Sequence, residues 1–396
     1  MMYSGKYIRF LLLVLFCAVP CLGAASCVEA SWHGKDVATL AVIKDPVVDL
    51  FTELPLQERA PLAGAAYADG ACRRAHQVLA NEVVTILERQ GQHFKIACDN
   101  AVYGLQDGIP LNTFWIHKKH LIFLKQLDEE QLSAIPGPLG MVTDTVVVHC
   151  PWEKYSYGTR FVRDPERDTA DSYGIKNIDP HTRVVQHMVI AHEVARIEQI
   201  ASVQEKRNCF VQSAYELIRS AQFHGACHEV SEPRVIPYVW GGSSFVYGYH
   251  DTFHLKHNRW ERPGKHTPYM GYDCSELILR LGQSCGIPLV AKTTTMLAQM
   301  LKPLTRSDAL EAGDIIWFPG HVIIISDIER DEMIEARGYK SGYGRVHCLK
   351  LSKCFRGIKN YRQLRQAYFR KRPLVRLKKD GSVENVIKEF KLLKLL

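Results

Sequence analysis

The spacing of apolar residues changes character once along this chain, near Asn208, and that change restricts what the chain can fold into. Upstream, apolar residues come in short runs broken by turn-forming residues: Thr39–Ile43, Val47–Phe51, Glu82–Leu87, His93–Ala97 and Leu111–Ile116. After Pro136, Gly137, Pro138 and Gly140 come Thr143–His149, Gly158–Val162, Val184–His187 and Val194–Ile197. Runs of this length and spacing predict β-strands. Residues 36–125 and 140–203 are therefore expected to form two small β-barrel domains with a linker between them. Downstream, Phe210, Val211, Ala214, Leu217 and Ile218 fall at i, i+1, i+4, i+7 and i+8, which is one face of a helix. Strands are expected at Ile315–Phe318, His321–Ile325 and Met333–Ala336, so a third, α+β domain is expected over 205–364.

At 396 residues and 46% hydrophobic content, the chain is long and apolar enough for two or three domains with cores, which excludes a disordered or collagen-like protein. Its net charge of +8 is uneven: residues 365–396 carry ten basic and three acidic side chains. The rest is nearly neutral, which argues against a nucleic-acid binder, and no zinc finger, P-loop or dinucleotide fingerprint is present. No apolar run reaches the roughly 18 residues of a membrane-spanning helix. Lys6 and Arg9, the apolar stretch Phe10–Val19 and the small residues Gly23 to Ser26 read as a signal peptide over 1–26, with Cys27 a minor candidate for lipidation. Export to the periplasm or cell envelope is expected. The twelve cysteines show no CxxC spacing, so no metal site is expected, while a disulfide such as Cys348 to Cys354 is open in an oxidising compartment. In the tail, Val383, Val386, Ile387, Phe390 and Leu393 recur at helical spacing among lysines. Such a helix either lies on a membrane surface or anionic polymer, or docks on the third domain with its lysines in water.

The chemistry concentrates in the third domain. Leu277, Ile278 and Leu281 form the buried stripe of a helix that opens at Cys274, so the cysteine sits where free N–H groups and the dipole favour a thiolate. Another 47 residues on, a turn delivers His321 to the start of an apolar strand as a candidate base. A hairpin centred on Ile328 would place Glu335 opposite His321, able to orient the imidazole.

Tyr238-Val-Trp-Gly-Gly242, Asp273-Cys-Ser275, Gly286-Ile-Pro288, Ala312-Gly-Asp314 and Gly320-His-Val322 together resemble the NlpC-type cell-wall cysteine peptidases, over about residues 205–364. The resemblance implies a papain-like catalytic domain. With Tyr157-Gly-Thr-Arg-Phe161, the β-rich half resembles the bacterial SH3-type domains of the subgroup that cleaves γ-D-glutamyl-diamino-acid bonds in peptidoglycan stem peptides. It implies Cys274 as nucleophile, His321 as base and Glu335 as third polar group, with no cofactor. It also implies substrate binding at Tyr238, Asp273, Ser275 and Trp240, Asp273 holding the free α-amine. Tyr238 either reaches the reacting carbonyl or packs beside Trp240. Two residues depart from the family pattern: Glu276 where Gly is common, which near Cys274 would oppose thiolate formation, and Glu335 where His is common. The expected substrates are stem peptides or muropeptides. The alternatives are a non-catalytic wall-binding scaffold and an amidase or acyltransferase on the same fold.

Overall fold

The computed structural model describes residues 39–54, 74–137, 144–198, 202–226, 235–246, 254–256, 259–261 and 270–396; the expected leader, Cys27 and Cys72 lie outside them. The first β-rich stretch forms a seven-stranded antiparallel sheet in the order Arg74–Leu79, Val47–Phe51, Thr113–His117, His93–Ala97, Val83–Gln90, Leu40–Ile43, Leu121–Phe123. Strict alternation along its strands puts Phe94, Ile96, Phe114 and Ile116 into one core. The second forms a five-stranded antiparallel sheet, Val185–Ala191, Ser172–Ile178, Arg160–Arg163, Thr145–Val148, Ala195–Ile197, around Phe161, Ile175 and Ile190.

From residue 203 the helix Val203–Ala226 leads into a six-stranded antiparallel sheet ordered Lys302–Pro303, Lys391–Lys394, Ile315–Phe318, His321–Asp327, Glu332–Arg337, Arg345–Lys350. Its strands are covered on both faces, which explains why they read as continuous apolar runs. Trp317, Val322, Ile324, Ile334 and Leu393 face the helices Val203–Ala226 and Cys274–Ser284. Ile316, Phe318, Ile323, Ile325 and Leu392 face the other way, onto Phe355, Leu364 and Leu374.

The last 32 residues are not a separate tail. Instead of a basic helix they form the end of the helix Tyr361–Phe369 and three strands, Leu374–Leu377, Val383–Ile387 and Lys391–Lys394. The last of these pairs with Lys302–Pro303 on one side and with Ile315–Phe318 on the other. The physical reason is that Leu392 and Leu393 are adjacent and both fully buried, one on each face of the sheet. A strand with two covered faces satisfies that arrangement, and the surface helix expected from the spacing does not. Lys394, expected to face solvent or a polymer, pairs with Glu311 and lies 3.0 Å from Asp314. Asp314, of the Ala312-Gly-Asp314 motif, also takes the Arg207 guanidinium at 2.7 Å, tying the first helix to the last strand. Cys348 and Cys354 are free thiols, so the disulfide considered for them is not formed.

Leu393→Ala should destabilise the protein by about 2–5 kcal/mol, as for other fully buried leucines, read as a lower urea midpoint at unchanged slope. An unchanged midpoint would mean that the last strand is not integral to the sheet.

Candidate active site

Asp273 starts the helix Cys274–Ser284. One of its carboxylate oxygens accepts from the N–H groups of Ser275 (3.0 Å) and Glu276 (2.8 Å), and the other from the Gly241 N–H (3.0 Å). Gly241 sits at φ +64°, with the Arg74 carbonyl oxygen 2.6 Å from where a Cβ would stand, so this close approach demands glycine. All eleven helix residues are buried, including a polar stripe of Glu276, Arg280 and Gln283 at i, i+4 and i+7. By pattern that stripe reads as a solvent face, yet it docks the first sheet. Glu276 meets His76 Nδ1 at 2.8 Å and Lys292 at 3.3 Å, Arg280 pairs with Glu82 and donates to the Gln77 carbonyl (2.6 Å), and Gln283 donates to the Asn100 carbonyl (2.7 Å). The Glu276 charge is thus held by two partners and its carboxyl lies below its ordinary range despite burial, through His76 and Lys292. Of the carboxylates near Cys274, Asp273 does most to raise its thiol, with Glu335 adding less.

Across from the helix N-terminus, the backbone N–H of Val322 favours the Cys274 thiolate, as does that of Ser275 from the helix itself. The residue before Val322 is His321, whose Nε2 is 2.6 Å from Glu335 Oε2. The pair forms although the expected register is displaced. Ile324 pairs with Ile334 and Ile325 with Met333, so the hairpin centre lies one residue beyond Ile328 and Glu335 reaches His321 diagonally. Directly opposite Glu335 stands His347, whose Nε2 is 3.2 Å from Oε1. Arg376, from the supposed tail, pairs with Oε2, and Arg337 lies 3.6 Å from Oε1. Glu384 bridges both arginines. Glu335 is therefore 1% exposed without being an isolated charge, and Arg376 first, then the histidines, hold its carboxyl well below the carboxylate range against the effect of burial.

An ionised carboxylate can only accept, so Nε2 of His321 carries the proton and Nδ1 keeps its lone pair. Burial and then the Arg376 charge keep the imidazole below its usual pKa, although Glu335 opposes them. The Cys274 thiol is likewise not the thiolate its helix position suggested. Burial and the Asp273 charge outweigh the two N–H groups and push it up to about 12. At neutral pH the site holds a thiol and a neutral imidazole, the state in which a base takes the proton as the sulfur attacks.

Tyr238 is 7% exposed and close enough to Cys274 and Asp273 that their charges, after burial, raise its phenol. Trp240 is 42% exposed and Ser275 is buried, its hydroxyl donating to Asp273 at 3.0 Å. Burial pushes the Asp273 carboxyl up to about 6, with Glu276 adding to the shift. Sequence reasoning missed Arg376, Arg337, His347 and Glu384. Only His347, facing Glu335 across two strands, could have been found from register.

This architecture is that of the NlpC/P60 proteins. The crystal structure of a NlpC/P60 family protein from Bacillus cereus is similar at a TM-score of 0.52 and 14% identity, over 79% of this chain and 94% of that one. NlpC2 from Trichomonas vaginalis follows at TM-score 0.30, 12% identity and coverage of 79% and 92%. The peptidoglycan hydrolase RipB from Mycobacterium tuberculosis follows at 0.24, 19%, 38% and 62%. No protein-family model and no curated protein matches the chain.

Followed by NMR, His321 should titrate below about 6.5, and in Arg376→Met its midpoint should rise, because removing a neighbouring cation favours the imidazolium. An unmoved midpoint would exclude Arg376 from the electrostatics of the pair. Glu276→Ala, which strands His76 and Lys292 without their counter-charge, should cost about 3–5 kcal/mol in chemical denaturation.

Proposed function

We propose that this chain is an exported cysteine peptidase of the NlpC/P60 type that cleaves the γ-D-glutamyl-diamino-acid bond of peptidoglycan stem peptides. In this reading the third unit is the papain-like catalytic domain and the two smaller sheets are SH3-type domains that narrow the cleft. The observation that carries the proposal is the assembly of Cys274, at a capped helix N-terminus, against the strand that bears His321, with His321 in turn held by buried Glu335. Cys274 attacks the carbonyl carbon while Nδ1 of His321 takes the thiol proton. The Tyr238 hydroxyl and the Cys274 N–H, which the Asp273 cap leaves over, stabilise the oxyanion. His321 then protonates the leaving amine, and water hydrolyses the thioester.

Asp273 is assigned the substrate's free ammonium, which would find a carboxylate already shared among backbone donors. Trp240 offers an exposed ring beside the cleft, and Ser275 acts through Asp273. The buried, un-ionised Cys274 thiol favours one other reading, a wall-binding protein that keeps the fold without the activity.

Mass spectrometry of L-Ala-γ-D-Glu-diamino-acid peptides, incubated with the protein and with Cys274→Ala, separates the two. Release of L-Ala-D-Glu by the unaltered protein alone is expected. With the matching muramoyl-peptide as a second substrate, a product cut at the muramoyl amide would point to an amidase on the same fold, and intact substrate in all reactions would favour the wall-binding reading.

A further inference from the structure

A second pair of cysteines lies at the opposite end of the nucleophile helix from Cys274. Cys285 is its C-cap and is buried; Cys209 is half-buried on the helix Val203–Ala226, one turn before Ser213, and packs against the core cluster that contains Cys285. Neither is in a disulfide. Arg196, from the second β unit, donates to the Cys285 sulfur at 3.3 Å, to the Ser284 carbonyl at 3.0 Å and to the Ser213 hydroxyl at 3.0 Å; that hydroxyl is 3.6 Å from the same sulfur. Two thiols, a guanidinium and a hydroxyl thus converge where the candidate hydrolytic chemistry does not use them. An open groove of about 560 Å³, lined by Asn208, Cys209, Gln212, Tyr215, Ser326 and Asp327, gives access to Cys209 and not to Cys285.

We propose that Cys209 and Cys285 form a thiol–disulfide exchange site that takes a low-molecular-weight disulfide from the groove and closes to an intramolecular disulfide. The environment separates this pair from the other thiols. At Cys285 burial acts upward, but the hydrogen bond from Cys209 and the Arg196 charge bring the thiol down to about 6. Every other described cysteine is pushed up, Cys98, Cys150, Cys348 and Cys354 by burial first of all. Cys209 is pushed the other way, upward, by its contact with Cys285 and by burial, so of the two it is Cys209 that keeps its proton.

In the first step Cys209 passes that proton to the Cys285 sulfur as it attacks one sulfur of the incoming disulfide; the S–S bond breaks, a mixed disulfide forms on Cys209, and one thiolate leaves. In the second step Cys285 attacks the Cys209 sulfur and its proton goes to the departing second thiolate. The protein dithiol is oxidised by two electrons and the small disulfide is reduced to two thiol equivalents. The new bond joins the first helix to the C-terminal end of the nucleophile helix and leaves Cys274 untouched.

The test treats the reduced full chain with glutathione disulfide, blocks remaining thiols by alkylation and maps the peptides by mass spectrometry. The expected result is a linked Cys209–Cys285 peptide pair in the unaltered protein and a persistent glutathione adduct on Cys209 in Cys285→Ser. Arg196→Gln should slow closure and leave the adduct visible for longer. A lasting adduct on Cys209 in the unaltered protein, or both thiols still open to alkylation, would overturn the proposal. None of these readouts depends on hydrolysis, so failure of the peptidase assay leaves this test standing.

Discussion

The buried Glu335 carboxylate is the constraint around which the third unit is organised. Taking a carboxylate out of water costs several kcal/mol unless its oxygens are paired and its charge is offset. Here the offset comes from two separate layers of the domain. His321, His347 and Arg337 belong to three neighbouring strands, while Arg376 and the bridging Glu384 belong to a sheet packed on the far face. The two glutamates and two arginines sum to zero charge. The histidine at the site is therefore oriented by a network that exists only when both layers of the domain are in place.

Glu276 repeats the same solution on the other side of the nucleophile helix. Its buried carboxylate is matched by His76 from the first sheet and by Lys292, so the helix that presents Cys274 is polar towards its neighbouring unit and apolar towards its own sheet. Docking by buried polar groups with specific partners is orientation-specific in a way that apolar packing is not. The helix axis, and with it the sulfur, is indexed to the first β unit.

Much of this was legible in advance. The strand Ile315–Phe318 and the helix start at Asp273 were read correctly because their residues are dictated by local rules: unbroken apolar runs for a strand covered on both sides, and an aspartate cap before an apolar stripe. The His321 and Glu335 contact was also expected, although in another register: the turn is already displaced at Asp327 and Glu332, and the bulge after Ile325 restores it only in part. What failed was everything decided by long-range pairing. Val383, Val386, Ile387, Phe390 and Leu393 among lysines look like a helix, and the charge on Cys274 was judged from its helix position without knowing how deeply it is buried. Arg376 could not have been assigned to the site at all, since its role depends on a layer arrangement that its neighbours do not encode.

The place of Lys391–Lys394 has a consequence in time. It is the last strand of the six-stranded sheet to be synthesised, yet it lies inside the sheet, between Lys302–Pro303 and Ile315–Phe318. A chain emerging in order from the ribosome carries the cysteine, the histidine and the glutamate well before it carries this strand, so during that interval the sheet has a gap and the core on both faces is open. Both cores of the unit can therefore close only once this strand has been made and has entered the sheet, with Leu392 on one face and Leu393 on the other.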